Sequence, residues 1–381
     1  MFNLTANERN ALHRLEMESF KRYCRLIDVE PIEYEAYLLA TLKSEWRRWR
    51  DVMEVTARTR PGAAEEYVRR YEGAQTFWEY KRVEVIDHVE RIVENIRPLV
   101  PALPINWTYL GNIARRFGAT VPKEGDVDSL AALLRELPHV QTYEIEMNAF
   151  VTAHSPIGTL PAVFVYEHLM VTLDVFLQTV LAQVIVRTPH GTAFVVDESL
   201  WDLRGRNEAF VAGLRSVVEM LLGRTGAAVL DERLLLSHAS PELFNVSRAI
   251  GYGAGEFVRL HEYAHLLLGH LELPAGPQLE LAADRFAYDV IDASDESIAF
   301  WARLGAIGAL VAFVLVEVIE RRISDTHPPA LARIKALLHK ADRETAWLRW
   351  HVVAMLAVCC ETLQREYGVP AEGISKWPKG A

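Results

Sequence analysis

The sequence predicts an α+β protein, mostly helical, in which a helical N-terminal domain precedes a larger domain with a small β-sheet. Three observations lead there. Apolar residues in the first hundred positions recur at three- and four-residue steps, as in Phe77, Tyr80, Val83, Ile86 and Val89, which is the spacing of one helix face. Strand-like runs are confined to three short stretches, 140–150, 162–165 and 193–196. Helical patterning otherwise dominates from about His168 onward.

The elements follow in order. Thr5-Ala6-Asn7-Glu8 has the form of a capping box and opens a helix that runs to about Ile27. Pro31 starts a second helix, through Trp46 and Trp49 to about Val55. Pro61-Gly62 breaks the chain, and the periodicity predicts a third, longer helix over Ala63 to Ile96. Pro98, Pro101 and Pro104 then mark a domain boundary. Residues 1–98 read as the helical N-terminal domain, 99–345 as the second domain, and 346–381 as a C-terminal helix and tail. Short helices are expected near Trp107–Phe117 and Val127–Leu137. A strand over Val140–Phe150, a turn at Ser155-Pro156-Ile157-Gly158 and a strand over Ala162–Val165 read as a hairpin. Ala193 to Val196 reads as one further strand, and the tail after Tyr367 as loosely ordered.

Composition narrows the function classes. The chain has 381 residues, 50% of them apolar, which is enough for a substantial core. A charged fraction of 24% excludes a disordered chain, and a net charge of −10 argues against a nucleic-acid partner. The three cysteines, Cys24, Cys359 and Cys360, form neither a disulfide framework nor a CxxC metal pair, which fits a reducing, cytoplasmic setting. Met1 to Thr5 lacks the basic and apolar regions of a signal peptide. Leu304–Val316 is uncharged but shorter than the roughly 20 residues a spanning helix needs, and Ala162–Val186 carries Glu167, His168 and Asp174. No transmembrane segment is expected.

The chemistry concentrates at His261-Glu262-Tyr263-Ala264-His265. On a helix, residues four apart share a face, so both imidazoles can bind one Zn²⁺. Glu262 between them can take the proton of a zinc-bound water as it attacks a carbonyl. The three letters alone arise by chance in roughly one chain in a hundred. Their setting is more specific, because Phe257–Leu260 and Leu266–Leu268 make the helix apolar. Buried polar groups need partners, and a metal supplies one. A catalytic site needs a third protein ligand and an open position. Glu280, on the following helix that begins near Gln278, meets that need, and the small Ala282, Ala283 and Ala287 let the two helices approach. Asp284, four residues on, can hold a ligand imidazole by its second nitrogen. His270 is a rival third ligand. Gly251-Tyr252-Gly253-Ala254-Gly255 reads as a flexible approach to the motif helix.

His261-Glu262-x-x-His265 followed by Glu280-x-x-x-Asp284 resembles the gluzincin metallopeptidases. Asn148-Ala149-Phe150 and Thr326-His327-Pro328-Pro329 with Arg333-Ile334 resemble, in the same order, motifs of the CAAX prenyl endopeptidase and heat-shock protease group. The resemblance implies a zincin-like metallopeptidase domain with one Zn²⁺ per chain. It implies that His327 faces the site and stabilises the oxyanion. It implies that Arg333 orients His327 or pairs with a ligand carboxylate, and that the strand at Asn148, Ala149 and Phe150 binds substrate backbone by strand addition. The 174–250 stretch and the N-terminal helices lie outside that group's core.

The sequence therefore predicts a zinc-dependent endopeptidase acting on an intracellular protein or peptide, with Glu262 as general base. The alternatives are a non-catalytic regulatory sensor using the same fold and metal site, and a structural zinc site in which Glu262 is dispensable. The N-terminal helices are the expected docking point for a regulatory protein partner.

Overall fold

The chain opens with two helices, α1 (Ala6–Leu26) and α2 (Pro31–Thr56), close to the bounds their start signals imply. The computed structural model describes residues 6–56, 69–116, 118–143, 149–152, 161–181, 184–187, 194–196, 208–222, 241–293, 296–320, 327–339 and 343–368. Thr5, the Pro61-Gly62 break, Asn148, the Ser155–Gly158 turn, Thr326 and the tail after 368 lie outside them.

The helix expected over 63–96 is interrupted. Residues 69–73 are helical, 74–76 are not, and α3 (Phe77–Ile96) begins afresh. The cause is local. Thr76 Oγ1 accepts from the Glu79 amide at 3.1 Å while the Glu79 carboxylate accepts from the Thr76 amide at 3.3 Å. This reciprocal cap sets a helix start that apolar periodicity alone does not see. The short helices α4 (Trp107–Arg116) and α5 (Val127–Glu136) match their expected spans to within a residue.

The strand expected over 140–150 is two strands on opposite sides of a third. β1 (His139–Thr142) pairs parallel with β3 (Ala162–Tyr166), and β2 (Ala149–Thr152) pairs antiparallel with it, Phe150 opposite Phe164. The order is β1-β3-β2, so the hairpin is β2–β3, and β3 is buried along its whole length. The two outer strands differ. The free edge of β1 is sealed by α1, where the Gln141 amide donates to Glu16 Oε1 at 3.2 Å and the Tyr143 amide to Ser19 Oγ at 3.2 Å. The outer edge of β2 pairs with no strand among the described residues. Helix α6 (Glu167–Leu181) follows β3 directly. A second, two-stranded sheet joins β4 (Ile185–Arg187) antiparallel to β5 (Phe194–Val196). β5 was expected; β4 was not, because a short apolar run gives the same signal in a strand and in a buried helix.

The remainder is helical: α7 (Glu208–Leu221), α8 (Pro241–Leu267), α9 (Pro277–Asp292), α10 (Glu296–Glu320), α11 (Ala330–Leu337) and α12 (Arg343–Tyr367). The result is the mostly helical α+β architecture that the sequence predicts. At the centre, α8 packs along α10, with α9 and α6 beside it and β2 against it. The glycine run 251–255 lies inside α8 and is no flexible approach. A Cβ at Gly253 would overlap the backbone carbonyl of Ala302, and one at Gly305 would overlap that of Ile250. These glycines let two helix backbones touch, and no other residue fits there. The helix containing the uncharged run 304–316 is longer than that run suggests. Ala299–Glu320 and Thr345–Tyr367 are each long and apolar enough to cross a membrane, and 67% and 56% of their apolar windows are buried against the protein itself.

Polar contacts tie α3 to the back of α8. His88 Nδ1 lies 2.7 Å from Glu256 Oε1, and Asn95 Nδ2 donates to the Tyr252 hydroxyl at 3.0 Å. Val89, Ile92, Val93 and Ile96 of α3 join the same apolar core as α8.

Candidate metal centre

Two helices and a turn converge on one point. The last turns of α8 carry His261, Glu262 and His265. The first turn of α9 carries Glu280, where the positive helix end favours a carboxylate. Gly276 and Pro277 start α9 one residue earlier than expected, and Pro at the first position suits a helix start. Ala283 and Ala287 of α9, the helix that packs on α8, are buried, whereas Ala282 is exposed.

The three predicted ligands meet. His265 Nε2 is 3.1 Å from His261 Nε2, His261 Nε2 is 3.2 Å from Glu280 Oε2, and His265 Nε2 is 3.6 Å from Glu280 Oε1. Tetrahedral zinc with bonds of about 2.0–2.1 Å has donor-to-donor edges of about 3.3 Å. The donor set therefore fits a single small cation. His261, Glu262 and Glu280 are buried and His265 is half-buried. Among the described residues no other group of three His, Cys, Asp or Glu side chains could hold a metal ion.

The groups behind the ligands are equally defined. Asp284, fully buried, accepts from His261 Nδ1 at 2.8 Å, which leaves Nε2 to face the other ligands. Arg333 of α11 donates to both oxygens of Asp284. The sequence left Arg333 between His327 and a ligand carboxylate. The hydrogen bonds of Arg333 go to Asp284, the carboxylate behind the candidate ligand His261. α11 is anchored for this by Glu317 of α10, which accepts from the Ala330 amide at 2.9 Å. His-Pro-Pro is the lead-in to α11, and His327, 39% exposed, sets its Nε2 3.0 Å from Glu280 Oε2. His270 is not placed as a ligand. Its Nδ1 lies 3.1 Å from Nδ1 of His265, on the ring edge away from Glu280.

The electrostatics favour a cation. Burial lowers the pKa of His261, but the hydrogen bonds to Asp284 and Glu280 reverse this and raise it to about 9. Burial raises the Glu280 carboxyl, and the bonds to His261, His265 and His327 outweigh it and hold the group well below the usual carboxylate range. Asp284 is likewise raised by burial and brought down to about 2 by Arg333 and His261. Burial and the neighbouring His265 push His270 down to about 4. The charge of Glu262 is felt at both His261 and Arg333.

Asn106 is a supporting residue that sequence reasoning passed over. Its backbone N–H donates to the carbonyl of Leu267 at 2.8 Å and its Oδ1 caps α4 through the Tyr109 amide at 3.0 Å, so it pins the end of the helix that carries the candidate ligands. An Asn just ahead of an apolar helix was the available signal. Of the predicted substrate strand, Ala149 and Phe150 begin β2, which lies against α8.

A family model described as Peptidase U49 matches residues 234–353, which span α8 to the first part of α12 and contain every predicted ligand. No curated protein matches the chain, and no solved structure matches it. The family match supports a peptidase function.

Proposed function

We propose that the chain is a zinc-dependent endopeptidase acting on a protein or peptide substrate. The observation that carries this reading is the convergence of His261, His265 and Glu280 within tetrahedral-edge distances, in a segment matched by a peptidase family model. Zinc, when bound, supplies a Lewis acid that polarises the scissile carbonyl and acidifies the attacking water. His261, His265 and Glu280 would hold it. Glu262, buried on the same helix, takes the proton of the attacking water and returns it to the leaving amine. Asp284 keeps His261 in the tautomer whose Nε2 is a ligand, and Arg333 keeps Asp284 ionised. His327 presents a partly exposed ring beside Glu280 and donates to the oxygen that gains negative charge. The substrate adds as a strand along the edge of β2 that no described strand occupies, at Ala149 and Phe150, with Asn148 of the same motif as a further candidate contact.

The test is metal content of the purified chain, wild type beside Glu280→Ala and Glu262→Gln. The reading expects about one zinc per chain in wild type and Glu262→Gln, lost in Glu280→Ala, with cleavage of fluorescein-labelled casein lost in both variants. A wild type without zinc, or zinc retained in Glu280→Ala, would sink it.

A further inference from the structure

His270 is a buried imidazole beside the candidate metal centre that the proposed reaction does not use. Gly269 ends α8 in the left-handed conformation, φ +74°, and turns the chain so that the 3₁₀ turn His270–Glu272 folds back on the last turn of the helix. His270 is thereby 92% buried, with its ring edge-on to that of His265, centroids 5.1 Å apart at 70°. The two Nδ1 atoms are 3.1 Å apart. A neutral imidazole has one N–H. If His265 gives Nε2 to a metal, its proton sits on Nδ1 and needs an acceptor. Among the described residues the atom in hydrogen-bond reach is His270 Nδ1.

We infer that His270 is a positioning residue: its Nδ1 lone pair accepts the Nδ1–H of His265 and fixes the tautomer and ring rotation that present His265 Nε2 to the metal. The inference rests on the zinc reading. It makes the two histidine ligands unequal, because His261 is held by an ionised carboxylate and His265 by a neutral imidazole. A carboxylate acceptor strengthens the donor power of its histidine more than an imidazole does. His265 is then the weaker of the two nitrogens and the first to be lost when its support is removed.

The experiment compares wild type, His270→Phe, His270→Leu and His270→Asn in the full chain, stripped of metal. Zn²⁺ affinity is read by competition with a chromophoric chelator, and Co²⁺ loading by its visible absorption. Phenylalanine keeps the ring packing and leucine fills the space, but neither accepts a hydrogen bond. Asparagine offers a carbonyl oxygen close to the position of Nδ1. The expected result is about 10–100-fold weaker zinc binding in the phenylalanine and leucine variants with an altered Co²⁺ spectrum, and recovery to within about threefold in the asparagine variant. Wild-type affinity in the phenylalanine or leucine variant, or no recovery with asparagine, overturns the inference alone. A wild type that binds neither ion overturns the zinc reading and this inference with it.

Discussion

Arg333 closes on Asp284 with two hydrogen bonds, Nε to Oδ2 at 2.7 Å and Nη2 to Oδ1 at 2.6 Å, and the same Oδ1 accepts from His261 Nδ1 at 2.8 Å. The forked guanidinium matches the carboxylate, so the pair is rigid as well as charged. It joins α11 to α9 and, through His261, to α8.

Removing one partner should therefore be felt twice. Arg333→Leu leaves Asp284 ionised and buried without its cation, a loss of about 3–5 kcal/mol in a buried pair. Urea unfolding should show that loss, and zinc affinity should fall by about 10–100-fold as His261 loses its fixed support. Arg333→Lys keeps the charge without the fork and should recover only part of both. A leucine variant as stable as wild type would mean that Asp284 is held by other groups.

The crossing of α8 and α10 gives a second prediction. Gly253→Ala places a methyl group onto the Ala302 carbonyl, a backbone atom that cannot rotate away. Overpacking of this kind costs roughly 1–3 kcal/mol, and the rigid obstacle puts this case at the upper end. Gly73→Ala, with open space around the added methyl, serves as the control and should leave the thermal midpoint within a degree or two, as surface substitutions do. Equal midpoints for the two variants would count against the close crossing.

Gly269→Ala tests the turn that ends the ligand helix. The left-handed backbone costs a non-glycine residue about 1–2 kcal/mol, and the new Cβ would lie 2.6 Å from Asn106 Nδ2. Lower stability together with weaker zinc binding is expected, since the shift displaces His270. Reduced stability with zinc affinity unchanged would separate the turn from the metal centre.

Acidity should act at the seam between α1 and β1. Burial raises the Glu16 carboxyl to about 7, although the Gln141 amide and Arg82 pull it down. The folded state therefore keeps a proton that the unfolded chain releases near the ordinary glutamate value of 4.5. The stability linked to it is full below about pH 4.5, falls as pH rises, and is gone above about pH 7. The effect is on the order of 2 kcal/mol, allowing for the wetted part of the side chain. Glu16→Gln keeps an acceptor for Gln141 and cannot ionise, so its thermal midpoint should fall less than that of wild type between pH 5 and pH 8. Parallel profiles would rule Glu16 out as the titrating group.

The candidate site was legible where the cause is local. The four-residue step from His261 to His265 and from Glu280 to Asp284 follows from helix geometry, and the need for a third ligand pointed to Glu280. Arg333 was found as a residue but not as a partner, since nothing local in the sequence ties it to Asp284, 49 positions away. The sequence offers His270 as a rival ligand or a cap of the helix end, but not as a partner of His265, because the left-handed turn at Gly269 that aims it there leaves no periodic trace. Glycine disfavours a helix interior, so the run 251–255 read as a break; its meaning depends on Gly305, on another helix. The sheet was half legible for the same reason. The β2–β3 hairpin is a neighbour effect, whereas the parallel pairing of β1 with β3 links strands separated by β2 in the sequence.

The backbone contact at Gly253 also sets a tolerance for the chemistry. His261 lies eight residues further along α8, about 12 Å at 1.5 Å per residue. With the helix pivoting at that contact, a tilt of about 5° would swing the histidine through about 1 Å, a misplacement that in an active site can cost about a hundredfold in rate. The crossing thus works as the fulcrum of a lever whose far end is the candidate metal site. On the proposed reading, alignment of the candidate ligands is decided two turns away, by two residues whose only contribution is to have no side chain.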